Sequence, residues 1–170
     1  MTSRILSVYH LFMNCEEVSV KEVMDQLPKM SAKTFYRDIK LLKSAGVLQV
    51  RYSKKAEAYI PLSIEPTEPV LPESRTKRLI TEKIRRLCIL MQKLYEFDDE
   101  ENPLHIELYK ELFPNIAVRT RQRDFAELAK LGYISRRDID YFCDEDKEKY
   151  CYSFEIPAAY GLNTFSERNW

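Results

Sequence analysis

The chain has 170 residues, 45% of them apolar and 32% charged, and its 27 basic residues balance 27 acidic ones. This is a globular composition with enough apolar material for compact cores, and its length suits two small modules. A net charge of zero gives no general attraction to a polyanion, so any such attraction must come from how the charge is distributed. The longest conspicuous apolar run, Leu87 to Met91, is five residues, far below the roughly 18 that a membrane-spanning helix needs. The first ten residues hold one basic residue, Arg4, and are interrupted by Ser3, Ser7 and His10. That pattern is unlike a secretory leader, and the expected location is cytoplasmic. Cys15, Cys88, Cys143 and Cys151 form no Cys-x-x-Cys pair, and His10 and His105 are the only histidines. No metal site is therefore expected, and the thiols read as reduced, with Cys143 and Cys151 candidates to face each other across a hairpin.

Ile5, Leu6, Val8, Tyr9 and Phe12 recur at helical spacing and predict a first helix over about 3–13. Ser19 is placed to cap a second helix with the apolar face Val20, Val23, Met24 and Leu27, ended by Pro28. Ser31 caps a third helix running to about Ala45, and Gly46 stops it in the manner of a glycine just past a helix end. Val47 to Tyr52 and Ala58 to Leu62 then read as two strands joined by a turn at Ser53–Glu57, forming a hairpin wing. On the third helix Phe35, Ile39 and Leu42 form an apolar stripe, with Lys33, Arg37, Lys40 and Ser44 opposite. Residues 31–55 hold seven basic side chains against one acid, Asp38. A helix that is apolar on one side and cationic on the other, followed by a basic hairpin (Arg51, Lys54, Lys55), suits a groove lined with phosphates. A solvated helix face produces the same stripe, and the agreement of stripe, turn and wing is what favours the groove.

The segment Ser31-Ala-Lys-Thr34-Phe-Tyr-Arg37-Asp38-Ile39-Lys-Leu-Leu42-Lys-Ser-Ala-Gly46 resembles the recognition-helix signature of DeoR-type winged-helix regulators. The N-terminal modules of bacterial WYL-domain regulators carry a similar signature. The likeness covers about residues 3–62. It implies that the third helix enters the major groove and makes Lys33, Thr34, Tyr36, Arg37 and Lys40 candidate DNA contacts. Asp38, nearer the core stripe, reads as structural. Neither a sugar-phosphate-sensing domain nor a WYL domain is visible within these 170 residues.

From the end of the hairpin onward, Pro61, Pro66, Pro69 and Pro72 place four of the chain's eight prolines within twelve residues. The stretch is expected to be extended and stiff, a linker over 65–74 between modules at 1–64 and 75–157, with a tail at 158–170. A long helix is expected from Ser74 to Phe97, basic at its start and apolar later. A shift of 86 residues then lays 18–48 on 104–134 without a gap. Pro28, Thr34, Arg37, Asp38, Leu42 and Gly46 meet Pro114, Thr120, Arg123, Asp124, Leu128 and Gly132. Setting Arg4 on Arg86 aligns the first helices, and the second copy gains four residues in the acidic stretch 98–102. In that copy Arg119, Thr120 and Arg123 become candidate DNA contacts, whereas Arg121 falls where Phe35 faces the core. Arg121 is expected to snorkel or pair, or its helix to begin elsewhere. Asp138, Asp140, Asp144, Glu145, Asp146 and Glu148 make the second wing acidic, opposed by Lys147 and Lys149.

The expected fold is mainly α with small β-hairpins (α+β), arranged as tandem winged helix-turn-helix modules. The expected function is sequence-specific binding of double-stranded DNA in transcriptional regulation. The alternative is a winged-helix protein–protein adaptor, a use favoured by the neutral charge and the acidic second wing. No catalytic constellation, phosphate loop or cofactor motif stands out. A homodimer through the helix over 75–97 or through the tail is the further partner considered.

Overall fold

The second and third helices of this chain start at side-chain caps, and the third ends at a glycine. In a computed structural model, which describes residues 1–27, 29–96, 105–137 and 149–152, Ser19 opens the second helix with a reciprocal capping box. Its hydroxyl accepts from the Glu22 backbone N–H at 3.1 Å, while the Glu22 carboxylate accepts from the Ser19 N–H at 3.2 Å. Ser31 caps the third helix by accepting from the Thr34 N–H at 3.3 Å. Gly46, with φ +66°, ends that helix in the left-handed conformation that side chains other than glycine resist.

The elements in order are α1 (Thr2–Asn14), β1 (Val18–Ser19), α2 (Val20–Gln26), α3 (Ala32–Ser44), β2 (Gln49–Ser53), β3 (Ala58–Ser63), α4 (Arg75–Glu96), α5 (His105–Leu112), α6 (Val118–Lys130), β4 (Ile134–Arg137) and β5 (Lys149–Tyr152). The protein is thus mainly helical with small antiparallel sheets, an α+β fold. The chain divides into two compact units, Met1–Ile89 and Leu90–Trp170, with the proline-rich stretch inside the first.

In the first unit β1, β3 and β2 form a three-stranded antiparallel sheet in that order. The two-residue β1 joins by pairing Val18 with Tyr59 and Ser19 with Ala58, a strand that the hydropathy pattern had not revealed. Helix α1 is buried along its whole middle, Ile5 to Phe12, not on one face alone. Its two polar members are accommodated: Ser7 donates to the Ser3 carbonyl at 3.1 Å, and His10 lies within 3.5 Å of the Asn14 amide. Phe12 stacks on Phe35 with ring centroids 6.4 Å apart, and Phe35 meets Tyr59 edge-on at 5.8 Å. These rings join α1, α3 and the sheet into one core with Val23, Leu27, Met30, Ile39, Leu42 and Leu48.

The second unit buries Leu90, Met91 and Leu94 of α4 with Leu108, Tyr109, Phe125, Leu128, Tyr133 and Ile134. Helix α6 lies 86 residues after α3 at both ends, and the hydrogen bonds closing the two helices recur at the same offset. Gly46 N–H donates to Lys43 and Val47 N–H to Leu42; Gly132 N–H donates to Ala129 and Tyr133 N–H to Leu128. Gly132, with φ +79°, repeats the turn of Gly46. Pro28, the acidic stretch 98–102, the second wing over 138–148 with Cys143, and the tail 158–170 lie outside the described residues. Cys151 stands in register with Ser135.

Two predictions follow from this packing. Gly46→Ala should lower unfolding free energy by about 3 kcal/mol. Its methyl would need a left-handed backbone and would overlap the Thr67 carbonyl oxygen, a loss measurable as a fall in urea midpoint. Burial lowers the His10 pKa from 6.5 to about 4. As pH falls below 6.5 the unfolded chain takes up a proton that the folded chain refuses, so stability present above 6.5 is lost progressively down to about 4. Urea titrations at stepped pH should show that decline, and His10→Gln should flatten it.

Candidate nucleic-acid interface

The tight link between α2 and α3 is closed by Leu27 N–H donating to Val23 at 2.8 Å and Met30 N–H to Leu27 at 2.7 Å. The Thr34 hydroxyl lies 2.9 Å from that of Ser31, so both oxygens cluster at the α3 N-terminus, where the helix dipole and unsatisfied N–H groups favour an anion.

Each side of α3 meets a different environment. Phe35, Asp38, Ile39 and Leu42 are buried. Asp38 receives Arg4 of α1 in a bidentate pair, Nε to Oδ2 at 2.6 Å and Nη2 to Oδ1 at 2.8 Å. The acid of the Thr-x-x-Arg-Asp segment therefore ties α3 to α1 and leaves the outer face without negative charge. On that outer face Lys33, Arg37 and Lys40 are all exposed. None of the three takes part in a salt bridge with another described residue.

Tyr36 lies about 100° around the helix from Phe35, on the flank that meets the sheet. It is 48% exposed, with its ring 6.3 Å from Tyr59 of β3. Tyr59 is paired across the ladder with Tyr52 of β2, their rings 5.2 Å apart. Burial, and then the neighbouring Tyr36 and Tyr52, push the Tyr59 hydroxyl pKa up. Arg51 is paired with Ile60, one residue out of phase with Tyr52 and Tyr59. Alternation along the strand consequently puts Arg51 on the sheet face turned away from α3. Lys54 and Lys55 are exposed in the turn, which Ser53 braces by accepting from Ala56 N–H at 3.3 Å. The structure thus brings Lys33, Arg37 and Lys40 onto one surface, puts Tyr36 beside the sheet, and sets Lys54 and Lys55 at the hairpin tip.

In the second unit Arg119 and Arg123 are exposed and Thr120 is half-buried, matching Lys33, Arg37 and Thr34 in their own helix. Helix α6 begins at the same offset as α3, so Arg121 occupies the position of Phe35, where it is half-buried. Ala117 stands at the N-cap without a side-chain hydrogen bond, unlike Ser31. Asp124 is buried like Asp38 and accepts from the Tyr109 hydroxyl of α5 at 2.7 Å.

Three residues outside the sequence-derived set shape this surface. Arg4 and Tyr52 carried signals that could have been read: a cation facing the buried side of an acid, and an aromatic alternating with Val50. Arg85 did not stand out from its basic neighbours, although its Nη1 donates to the carbonyls of Ala45 at 2.7 Å, Gly46 at 3.3 Å and Thr67 at 2.7 Å.

Among the described residues no group of three His, Cys, Asp or Glu side chains gathers as a metal site, and no helix is long and apolar enough to cross a membrane. Burial and the nearby Glu22 carboxylate push the Cys15 thiol up to about 11. A scan of protein-family models gave no match to the chain, and neither did a search of curated proteins.

Arg4→Leu would leave the Asp38 carboxylate buried without its guanidinium. It should destabilise the first unit by about 2 kcal/mol, the pair being partly exposed on the arginine side. Calorimetric or urea unfolding of the full chain would measure that loss.

Proposed function

We propose that the protein is a sequence-specific DNA-binding transcriptional regulator, acting in the cytoplasm through tandem winged helix-turn-helix modules. Helix α3 enters the major groove and the β2–β3 hairpin is its wing. The observation that carries this reading is the outer stripe of Lys33, Arg37 and Lys40, exposed opposite the buried stripe of the same helix. A groove lined by phosphates accepts such a face, and cations released from the duplex on binding supply much of the affinity. Thr34, at the helix N-terminus, is placed to meet a phosphate, and Lys54 and Lys55 at the hairpin tip to meet the neighbouring backbone. Arg51, turned from α3, contributes to the general field more than to a groove contact.

The second unit enters through α6. Its exposed Arg119 and Arg123, at the α3 positions of Lys33 and Arg37, support a second reading helix. Its half-buried Arg121 and uncapped start make it the weaker of the two.

Full-length protein titrated with a labelled mixed-sequence duplex at stepped salt tests the reading. Wild type should bind with an affinity that falls steeply as salt rises. Lys33→Ala and Lys40→Ala should each shallow the salt slope by about one. Arg37→Ala should weaken binding to a selected site roughly tenfold, and Arg123→Ala by less. Binding that is absent, or indifferent to salt and to these changes, would overturn the proposal in favour of a protein-binding adaptor.

A further inference from the structure

We infer that Tyr36, Tyr59 and Tyr52 form a contact row for the sugar-phosphate strand that runs between the groove-reading helix and the wing, an inference that rests on the DNA-binding reading above. The three rings lie side by side, Tyr36 to Tyr59 at 6.3 Å and Tyr59 to Tyr52 at 5.2 Å. The row runs from the flank of α3 across β3 to β2. Its middle ring is anchored, since Tyr59 meets the fully buried Phe35 edge-on at 5.8 Å. Its outer members remain half in solvent, Tyr36 at 48% and Tyr52 at 50% exposure. Grouped aromatic surface of this kind, held at its middle and half exposed at both ends, marks a binding face.

Charge selects the occupant. Cations bracket the row: Lys33, Arg37 and Lys40 on the helix, Lys54 and Lys55 two and three residues beyond Tyr52. From residue 31 to residue 64 the acids are Asp38 and Glu57. Asp38 is spent on Arg4 inside the fold. An aromatic row between two cationic banks suits a polyanion whose linkers are apolar sugars. Position then selects which part of the duplex it meets. Tyr36 stands on the helix flank beside the sheet and Tyr59 and Tyr52 on the sheet itself, none of them on the outer stripe that faces the bases. A duplex whose major groove holds α3 and whose minor groove meets the hairpin has one phosphodiester strand between the two. Tyrosine hydroxyls donate to phosphate oxygens, and the ring faces pack against deoxyribose.

Such a contact is neutral and indifferent to base sequence, which makes it separable from the cationic contacts. The test uses the full chain, a fluorescein-labelled mixed-sequence duplex of about 30 base pairs, or three helical turns, and anisotropy at stepped salt. Tyr52→Phe keeps the ring and its packing on Tyr59 but removes the donor. It should weaken binding about tenfold, as expected for losing a hydrogen bond to a charged group, with the salt slope unchanged and the same loss on unrelated duplexes. Tyr52→Ala should lose at least as much, with thermal unfolding followed in parallel. Lys54→Ala should instead reduce the salt slope by about one. If Tyr52→Phe and a folded Tyr52→Ala both bind as wild type while Lys54→Ala shows its altered slope, the tyrosine row belongs to a protein partner. The inference then fails although the DNA reading stands. If the wild type binds no duplex at all, both fail together.

Discussion

At the C-terminal end of α3 three backbone carbonyls converge on one guanidinium. Arg85 Nη1 donates to the carbonyls of Ala45, Gly46 and Thr67, while Thr67 N–H donates to the Gly46 carbonyl at 2.7 Å and Val70 N–H to that of Ser44 at 2.8 Å. A helix leaves its last carbonyls without intrahelical donors and its C-terminus partially negative, so a cation and two extra N–H groups answer both needs at once. The proline-rich stretch can come this close only because residue 46 has no side chain. The stretch therefore acts as a strap across the helix end: its prolines keep the chain extended and its remaining N–H groups reach back to α3. Within Met1–Ile89 the position of α3 along its axis is settled at this point.

Rotation of α3 about that axis is settled elsewhere, by Asp38. A helix advances 100° per residue, so an error of one residue in how α3 sits on the core would carry the lysines from solvent into the Phe12 and Tyr59 neighbourhood. Apolar packing alone tolerates some rolling. A bidentate pair to Arg4, directional in both bonds, does not. Phe35, Asp38 and Tyr36 thus hold three successive sectors of the helix, and the fourth sector, Lys33, Arg37 and Lys40, points outward by elimination. The acid within a basic helix is what aims the basic face.

The sequence made these local devices visible because each is short-range chemistry: a serine followed by glutamate three residues on, a serine before a helix, a glycine after one. The helices α1, α2, α3 and α4 and the β2–β3 hairpin are legible for that reason. Strand β1 is not, because two residues carry no period and its pairing to Ala58 and Tyr59 spans some forty residues of chain. The face of Arg51 depends on the ladder register, which shifts between Gln49 and Val50, so alternation counted from Val47 does not fix which neighbours face α3. Arg85 was hidden by composition, one cation among Arg75, Lys77, Arg78, Lys83 and Arg86, with only the tertiary fold to single it out.

The second unit separates what the backbone requires from what the surface carries. The helix closure, the positive-φ glycine and the buried acid recur at an offset of 86, although Asp124 takes its hydrogen bond from a tyrosine hydroxyl where Asp38 takes two from a guanidinium. A carboxylate at this site is thus compatible with either donor, and the constraint is the presence of some donor in a buried place. Packing explains Leu128, Phe125 and Gly132. It does not explain Arg119 and Arg123, which are exposed and add nothing to the core. Any polar residue would satisfy the fold at those two positions, so cations matching Lys33 and Arg37 in placement favour a common polyanionic partner for both helices. The half-buried Arg121 beside them works in the other direction, putting a cation where α3 has the buried ring of Phe35. Of the two helices, α3 therefore has the more fully apolar back to its cationic face.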